Sequence, residues 1–268
     1  GGRRLNPQKI RRLNRIFRLD GKALIVAMDH GGFFGPQPGN ERPGETIRKV
    51  VAGGADAIMT TFGLATTFPE ELAAVGLILR ADGGVSRLGG RKWRGRLLFG
   101  PEEALRLGAD GVVCMGFPGA EREHDNLSYL AQLSARCNEW GLPLMAEMLP
   151  RGFEGGEDSR TVENIRMVVR IGAELGADII KTQYTGSVDT FKAVTESCYV
   201  PVVILGGTKM DTDGDVLRTV REAMDGGARG VAMGRNIWGH DHPEKMTAAV
   251  AAIIHEDATV ETALEKLR

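Results

Sequence analysis

The sequence predicts a single (β/α)₈ barrel, and two observations carry that prediction. Short apolar runs alternate with helical patterns along the 268 residues, and there are eight such runs. Four of them are preceded by the phrase Gly-Ala-Asp or a close variant, which is typical of a helix C-cap glycine followed by a tight αβ loop. Eight repeated βα units close a barrel, and the chain length is typical of that fold.

The eight apolar runs are the predicted strands. They are continuous rather than alternating, which indicates burial on both faces, as in a parallel sheet. Each gap between runs is long enough for a crossover helix with its loops. The runs are Ala23 to Met28, Ala57 to Thr61, Gly76 to Arg80, Gly111 to Met115, Leu142 to Met148, Ala177 to Thr182, Val200 to Leu205 and Gly230 to Met233.

The N-terminal segment predicts a capping helix. Basic residues cluster from Arg3 to Arg18, and apolar residues such as Leu13 and Phe17 recur among them at helical spacing. This pattern favours an amphipathic helix that covers one end of the barrel and exposes its basic face. A doubly wound open sheet is the alternative fold, but the loop Asp29-His30-Gly31-Gly32 lacks the G-x-G-x-x-G pattern. With no interdomain linker apparent, residues 1–268 are predicted to form one domain.

Composition and charge exclude several classes of function. The net charge is −1, from 34 basic and 35 acidic residues, which argues against a general role in binding nucleic acid or a membrane surface. The longest apolar run, near Leu24 to Met28, is too short to span a bilayer, and no signal-peptide pattern opens the sequence. The cysteines Cys114, Cys137 and Cys198 have no metal-ligand spacing and fit a reducing cytoplasm. We therefore expect a cytoplasmic protein that acts on small molecules.

Lys181 is the most unusual residue of the predicted strands. Functional side chains of such a barrel lie at the C-terminal ends of the strands, and lysine is rarely buried there without a partner. Burial favours the neutral amine, which can attack a carbonyl carbon and form an iminium. A buried salt bridge is the alternative, and position alone does not decide between the two.

Carboxylates end the first and fifth runs. Asp29 is interpreted either as an acid–base group or as a helix-capping loop residue, and His30 beside it is a candidate substrate contact. Glu147 is either an ion-pair partner of Lys181 or Arg151, or a proton carrier. Arg151 itself is either a ligand of a second phosphate or a surface arginine.

The loops after the seventh and eighth runs predict a phosphate site. Gly206 and Gly207 follow one run, and Gly234 and Arg235 follow the other. Glycines let backbone N–H groups approach an anion closely, and these two loops are the usual phosphate site of a barrel. The guanidinium of Arg235 could clamp the phosphate with two hydrogen bonds.

A metal site is not predicted. His240 and His242 are two residues apart and lack a clear third ligand. An iminium at Lys181 would itself supply the electron sink for breaking a carbon–carbon bond, so no cofactor is expected.

Taken together, these residues resemble the class I fructose-bisphosphate aldolases of archaeal type, within the DeoC/LacD group of Schiff-base aldolases. The resemblance covers nearly the whole chain, and its motifs include Met28-Asp-His-Gly, Ile179-Ile-Lys-Thr, Ile204-Leu-Gly-Gly and Met233-Gly-Arg-Asn-Ile. It implies that Lys181 is the Schiff-base lysine and Asp29 the acid–base aspartate. It also implies cleavage of fructose 1,6-bisphosphate to dihydroxyacetone phosphate and glyceraldehyde 3-phosphate, by a homo-oligomer.

The sequence departs from this family at the end of the fifth run. The family typically carries Tyr-Pro-Arg-Gly there, with the tyrosine transferring protons, whereas this chain has Leu149-Pro150-Arg151-Gly152. Leucine cannot transfer a proton, so Glu147, two residues earlier on the same face, is the predicted replacement. Two related branches stay open: a transaldol-type aminodideoxyheptulosonate synthase, and a thiolase of phosphorylated autoinducers that shares the ending at residues 234–243. A non-catalytic barrel that binds sugar phosphates is the remaining alternative.

Overall fold

Eight parallel strands form a closed barrel in the computed structural model, which describes residues 7–90, 92 and 95–268. The barrel closes where the first strand pairs in parallel with the last, Ala23 opposite Gly230. Every predicted run overlaps one strand, and the predicted (β/α)₈ fold is confirmed. The strands are β1 Ala23–Ala27, β2 Ala57–Thr60, β3 Gly76–Arg80, β4 Gly111–Gly116, β5 Leu144–Met148, β6 Ile179–Thr182, β7 Val202–Leu205 and β8 Gly230–Met233.

Helices surround the barrel and connect its strands. They are α1 Pro7–Ile16, α2 Gly31–Phe34, α3 Pro43–Ala52, α4 Phe62–Thr67, α5 Pro69–Leu72, α6 Pro101–Arg106, α7 Glu123–Glu139, α8 Val162–Glu174, α9 Val188–Glu196, α10 Asp213–Asp225, α11 Arg235–Trp238, α12 Pro243–Glu256 and α13 Val260–Glu265. A short antiparallel ribbon, Asp82–Gly83 with Arg96–Leu97, follows β3.

The barrel interior is one of two large apolar clusters, and it determines where the polar side chains point. Inward residues of successive strands, Met145 on β5 and Ile179 on β6 among them, fill the centre, while the outward residues pack against the helices. Because side chains alternate along a strand, Glu147 and Lys181 lie on the inward side, two residues beyond Met145 and Ile179. By the same alternation, Asp29 lies on the inward side, two residues beyond the inward residues Ile25 and Ala27 of β1.

The Gly-Ala-Asp repeat places aspartates at the N-terminal end of the barrel. Each carboxylate accepts a hydrogen bond from the backbone of the preceding strand in the sheet. The bonds run from Leu24 N–H to Asp56 (2.6 Å), from Leu77 N–H to Asp110 (3.1 Å) and from Leu144 N–H to Asp178 (3.0 Å). The repeat therefore forms a turn and also links neighbouring strands through hydrogen bonds of its aspartates.

These aspartates also pair with cations of the N-terminal segment, which corrects one expectation. The pairs are Lys9 with Asp178 (2.8 Å), Arg15 with Asp110 (3.0 Å) and Arg18 with Asp56. The predicted capping helix is present as α1, and the part of the prediction that covers Arg3 to Asn6 lies outside the described residues. A basic face open to solvent is wrong for Lys9, which is buried. The physical reason is that carboxylates at the end of the barrel neutralise this charge.

His255 on α12 makes the stability of this end of the barrel depend on pH. Its ring nitrogens lie 2.7 Å from Asp20 Oδ2 and 2.9 Å from Asp56 Oδ2. Burial lowers the pKa of His255, but its hydrogen bonds to Asp56 and Asp20 outweigh burial and raise the pKa above the ordinary 6.5. A raised folded-state pKa stabilises the fold fully below the unfolded value, and the contribution is lost as pH rises through the folded value.

We therefore expect His255→Gln to lower the free energy of unfolding more at pH 5.5 than at pH 9. Chemical denaturation of both proteins at the two pH values measures the difference. His124→Gln, at an exposed histidine on α7, is the matched control and should show no such pH dependence. An equal loss at both pH values would contradict the charged pairing of His255.

Candidate active site

A cavity of about 670 Å³ opens at the C-terminal ends of the barrel strands. Eight of the nine residues that the sequence predicts for the site line it. They are Asp29, His30, Glu147, Lys181, Gly206, Gly207, Gly234 and Arg235. The strand order thus gathers into one cavity residues as far apart in the chain as Asp29 and Arg235.

Lys181 and Glu147 form a buried ion pair on neighbouring strands. The two residues are register partners between β6 and β5, and Lys181 Nζ lies 2.9 Å from Glu147 Oε1. Burial raises the pKa of Glu147, but Lys181 and Arg80 outweigh burial and hold it below its usual range. Of the alternatives left open by the sequence, the structure shows Lys181, and not Arg151, as the partner of Glu147. The ion pair lines the cavity, so it does not exclude a chemical role.

Arg80, at the end of β3, is a site residue that the sequence-based prediction does not include. Its side chain is buried and lines the cavity. Its Nε lies 2.8 Å from Asp29 Oδ2, and its Nη2 also contacts Glu147 Oε2. An arginine that ends the apolar run Gly-Leu-Ile-Leu-Arg is the same kind of signal as Lys181, and it could have been found by the same rule.

Asp29 is a carboxylate and His30 a neutral imidazole at neutral pH. Burial raises the pKa of Asp29, but Arg80, His30 and Lys181 together hold it at about 2. Burial is the main cause that lowers the pKa of His30, helped by Lys181 and Arg235 and opposed by Asp29. His30 Nδ1 lies 3.6 Å from Asp29 Oδ1, beyond hydrogen-bond distance. The pair therefore brings one anionic oxygen and one neutral ring nitrogen to the cavity.

The two predicted phosphate loops are held together by side chains of α11. Arg235 Nη2 donates to Gly207 O at 2.7 Å, and Asn236 Nδ2 donates to Gly206 O at 2.8 Å and to Thr208 O at 3.1 Å. Arg235 Nε is buried and has no hydrogen-bond partner among the described residues. A guanidinium nitrogen without a partner, beside glycine backbone, is suited to bind an anion.

Gly234 has no room for a side chain. A Cβ there would lie 2.5 Å from Ala27 O and 2.6 Å from His30 Cε1. We expect Gly234→Ala to cost about 1–3 kcal/mol of stability through overpacking, and to raise KM for a phosphorylated substrate by displacing the loop. Gly63→Ala on α4, where nothing lies within 4 Å, is the control. Thermal unfolding and KM for both variants make the test, and equal behaviour of the two would contradict it.

Arg151 is the one predicted residue that the structure places outside the cavity. It is exposed and has a left-handed backbone with φ of 55°, whereas Arg160 lines the cavity. Leu149 also lines the cavity, so the position of the missing tyrosine faces the site. Tyr184 contributes to the same lining, but its hydroxyl donates to Glu222 Oε2 at 2.8 Å. Burial and Glu222 raise the pKa of Tyr184.

The histidines after β8 contact protein groups. His240 Nε2 lies 3.3 Å from Asp213 Oδ2, and His240 Nδ1 accepts a hydrogen bond from His242 N–H. Within residues 7–90, 92 and 95–268, no group of three or more His, Cys, Asp or Glu could hold a metal ion. Among the helices described for this chain, none is long and apolar enough to cross a membrane.

A barrel with a lysine and carboxylates at its strand ends, in one cavity with glycine-rich loops, is typical of aldolase-type enzymes. The family model of the DeoC/LacD family aldolases matches residues 23–240. The chain belongs to this family.

Relatives and solved structures agree with that assignment. A 2-amino-3,7-dideoxy-D-threo-hept-6-ulosonate synthase of Halobacterium salinarum is 37% identical over 258 residues, covering 96% of each chain. A protein described as an uncharacterised aldolase of Saccharolobus solfataricus is 33% identical over 264 residues, covering 92% of this chain and 95% of its own. An archaeal fructose-1,6-bisphosphate aldolase structure has a TM-score of 0.85 and 31% identity, covering 92% of this chain and 99% of that one. In another such structure, with a TM-score of 0.85, 30% identity and the same shares covered, the catalytic lysine is covalently bound to a carbinolamine intermediate.

Proposed function

We propose that the protein is a Schiff-base (class I) aldolase that cleaves or forms a carbon–carbon bond in a phosphorylated sugar. Fructose 1,6-bisphosphate, cleaved to dihydroxyacetone phosphate and glyceraldehyde 3-phosphate, is the first candidate substrate. The observation that carries the proposal is that Lys181 lines the cavity with its Nζ 2.9 Å from Oε1 of Glu147, which lines the same cavity. Support comes from the similar archaeal aldolase in which a catalytic lysine holds a carbinolamine.

The glycine loops would orient the substrate by its phosphate. The phosphate would accept hydrogen bonds from backbone N–H groups of Gly206, Gly207 and Gly234, and from the guanidinium of Arg235. Because the glycine loops and Lys181 line one cavity, a phosphate bound at the loops would hold the carbonyl carbon of a short ketose in the same cavity as Lys181. Positioning of this kind lowers the entropic part of the barrier.

Imine formation needs a proton acceptor for the lysine, and Glu147 lies at the required distance. The ammonium of Lys181 gives a proton to Glu147 Oε1, and the amine nitrogen then bonds to the carbonyl carbon while the π electron pair of the carbonyl moves to its oxygen. A second proton passes from the nitrogen to this oxygen and gives the carbinolamine hydroxyl. The carbinolamine hydroxyl leaves as water with the proton that Glu147 holds, and an iminium remains. The carboxylate is thereby regenerated.

Cleavage then uses the iminium as the electron sink. A carboxylate takes the proton from the hydroxyl on the carbon β to the iminium carbon, and the bond between the α and β carbons breaks. Its electron pair moves into the iminium to give an enamine, and the β carbon leaves as an aldehyde. Asp29 and Glu147 are the bases that we assign to this step, because both line the cavity as carboxylates and Leu149 cannot accept a proton. Protonation and hydrolysis of the enamine release the second product and free Lys181.

Borohydride trapping tests this proposal directly. The protein is incubated with dihydroxyacetone phosphate, reduced, digested and analysed by mass spectrometry. We expect the three-carbon adduct on the peptide that contains Lys181 and no adduct in Lys181→Met. Inorganic phosphate should compete with the reaction through the glycine loops. If Lys181 carries no adduct after reduction, the proposal is wrong.

Transfer to a second substrate is the second candidate function, with the same lysine. Two observations favour it: Leu149 replaces the family tyrosine, and relatives at 37% and 34% identity are named 2-amino-3,7-dideoxy-D-threo-hept-6-ulosonate synthases. In a transaldol reaction the enamine carbon bonds to the carbonyl carbon of an acceptor. In a thiolase reaction an acyl group is transferred to the thiol of an acceptor. Product analysis with and without an added acceptor separates transfer from simple cleavage. A non-catalytic barrel would bind the sugar phosphate without exchanging its α-proton in deuterated solvent.

A further inference from the structure

Arg80 contacts three carboxylates that come from different parts of the chain. Its Nε and Nη2 lie 2.8 and 2.7 Å from Asp29 Oδ2. Nη2 also donates to Glu147 Oε2, and Nη1 donates to Asp82 Oδ1 at 3.2 Å. Only 3% of Arg80 is exposed, so these contacts, and not water, balance its charge.

Glu147 is held at both of its oxygens. Oε1 lies 2.9 Å from Lys181 Nζ, while Oε2 accepts from Arg80. The planar guanidinium presents its donors in a fixed direction, unlike a flexible ammonium. A carboxylate held in this way has Oε1 directed toward the lysine and Oε2 toward the guanidinium.

Asp82 supports the guanidinium from the other side. Its Oδ2 accepts a hydrogen bond from Met115 N–H at 2.9 Å, and its Oδ1 accepts from Arg80. Asp82 is buried and does not line the cavity. Its contacts therefore orient Arg80, and through Arg80 they orient the two carboxylates that do line the cavity.

We propose that Arg80 is a positioning residue for imine formation at Lys181: it fixes Glu147 with one oxygen toward the lysine and holds Asp29 in place beside it. The inference rests on the proposed function, because it assigns a role in the step where Glu147 takes the proton of Lys181. No bond is made to Arg80, and its own protons stay on the guanidinium. It acts only through the geometry and charge state of its carboxylate partners.

Removal of the guanidinium is expected to change the charge state of these carboxylates. The titratable groups that interact with Asp29, Asp82 and Glu147 are Arg80, Lys181, His30, Cys114 and the carboxylates themselves. Burial raises the pKa of Asp29 and of Glu147, and Arg80 is one of the cations that outweigh it. Without Arg80, burial and mutual repulsion would dominate, and the pKa values would rise. A protonated Glu147 cannot take the proton of Lys181.

Arg80→Met and Arg80→Lys test the role, with Lys9→Met as the matched control. Lys9 is also buried and paired with a carboxylate, Asp178, at the opposite end of the barrel. The rate of borohydride trapping with dihydroxyacetone phosphate is measured from pH 5 to pH 9. We expect trapping by Arg80→Met to be about 10²-fold slower at pH 7. The acid limb of its pH–rate profile should lie about one pH unit or more above that of the wild type. Arg80→Lys keeps the positive charge but lacks the planar set of N–H donors of the guanidinium. It should shift the pH–rate profile by a smaller amount.

The control shows whether the effect is more than loss of stability. Lys9→Met should lose stability and keep the pH profile of the wild type. An Arg80→Met profile that matches the wild type would overturn the positioning role, as would an unshifted profile of Arg80→Lys if Arg80→Met does not fold. A wild-type protein without any adduct overturns the proposed function, and this inference with it. A wild-type adduct with unshifted Arg80 variants overturns only the role of Arg80.

Discussion

Replacing Lys181 with methionine is expected to lower turnover by about 10⁴-fold or more and to leave the barrel folded. Methionine fills a similar volume, but it has no nitrogen to form an imine. Glu147 keeps its ion pair with Arg80 in this variant, so the loss does not leave an unpaired buried carboxylate. Steady-state cleavage of fructose 1,6-bisphosphate and thermal unfolding of the same sample measure the two effects.

Lys9→Met is the reciprocal control for this prediction. Lys9 Nζ lies 2.8 Å from Asp178 Oδ2, and both side chains are buried. Since breaking a buried pair leaves an uncompensated charge, we expect a loss of about 3–5 kcal/mol in unfolding free energy and nearly unchanged kcat for the folded fraction. Turnover by Lys181→Met near the wild-type level would remove the lysine from the chemistry, whatever its place in the cavity.

The two lysines show how far the sequence predicts this molecule. Eight continuous apolar runs and the Gly-Ala-Asp repeat predict the barrel, because both follow from local chain geometry. The position of Lys181 is predicted on the same grounds. Every second side chain of a strand points into the barrel, so a polar inward residue near the C-terminal end of a strand must face the cavity. The burial of Lys9 is not predicted, because its partner Asp178 is supplied by a strand end that is remote in sequence.

The contacts of Arg80 show the physical limit of sequence-based prediction at the site, although its position at a strand end is visible in the sequence. Asp29, Arg80 and Glu147 follow or end β1, β3 and β5, which are alternate strands of the barrel. Their side chains meet only across the barrel interior, so no spacing along the chain indicates that they touch. The pairing of Glu147 with Lys181 is predictable, because β5 and β6 are neighbours. Arg151, three residues after the end of β5, itself has a left-handed backbone conformation, and its exposed side chain lies outside the cavity.

Glu147→Gln is expected to lower the rate of imine formation by about 10²–10⁴-fold at pH 7. Glutamine keeps the shape of the side chain, but it cannot take the proton of the Lys181 ammonium. The deficit should shrink as the pH rises, because hydroxide then removes the proton that Glu147 would accept. Trapping rates with dihydroxyacetone phosphate at pH 7 and pH 9.5, for variant and wild type, measure this change.

A structural role for Glu147 predicts a different result. Loss of a buried partner lowers stability at every pH, and it gives no reason for trapping to recover in alkali. Asp178→Asn removes the carboxylate from the other buried lysine pair, and it should lose stability while trapping at the wild-type rate at both pH values. If Glu147→Gln behaves like Asp178→Asn, then the 2.9 Å pair at Lys181 is a structural ion pair, and Glu147 is not the proton acceptor.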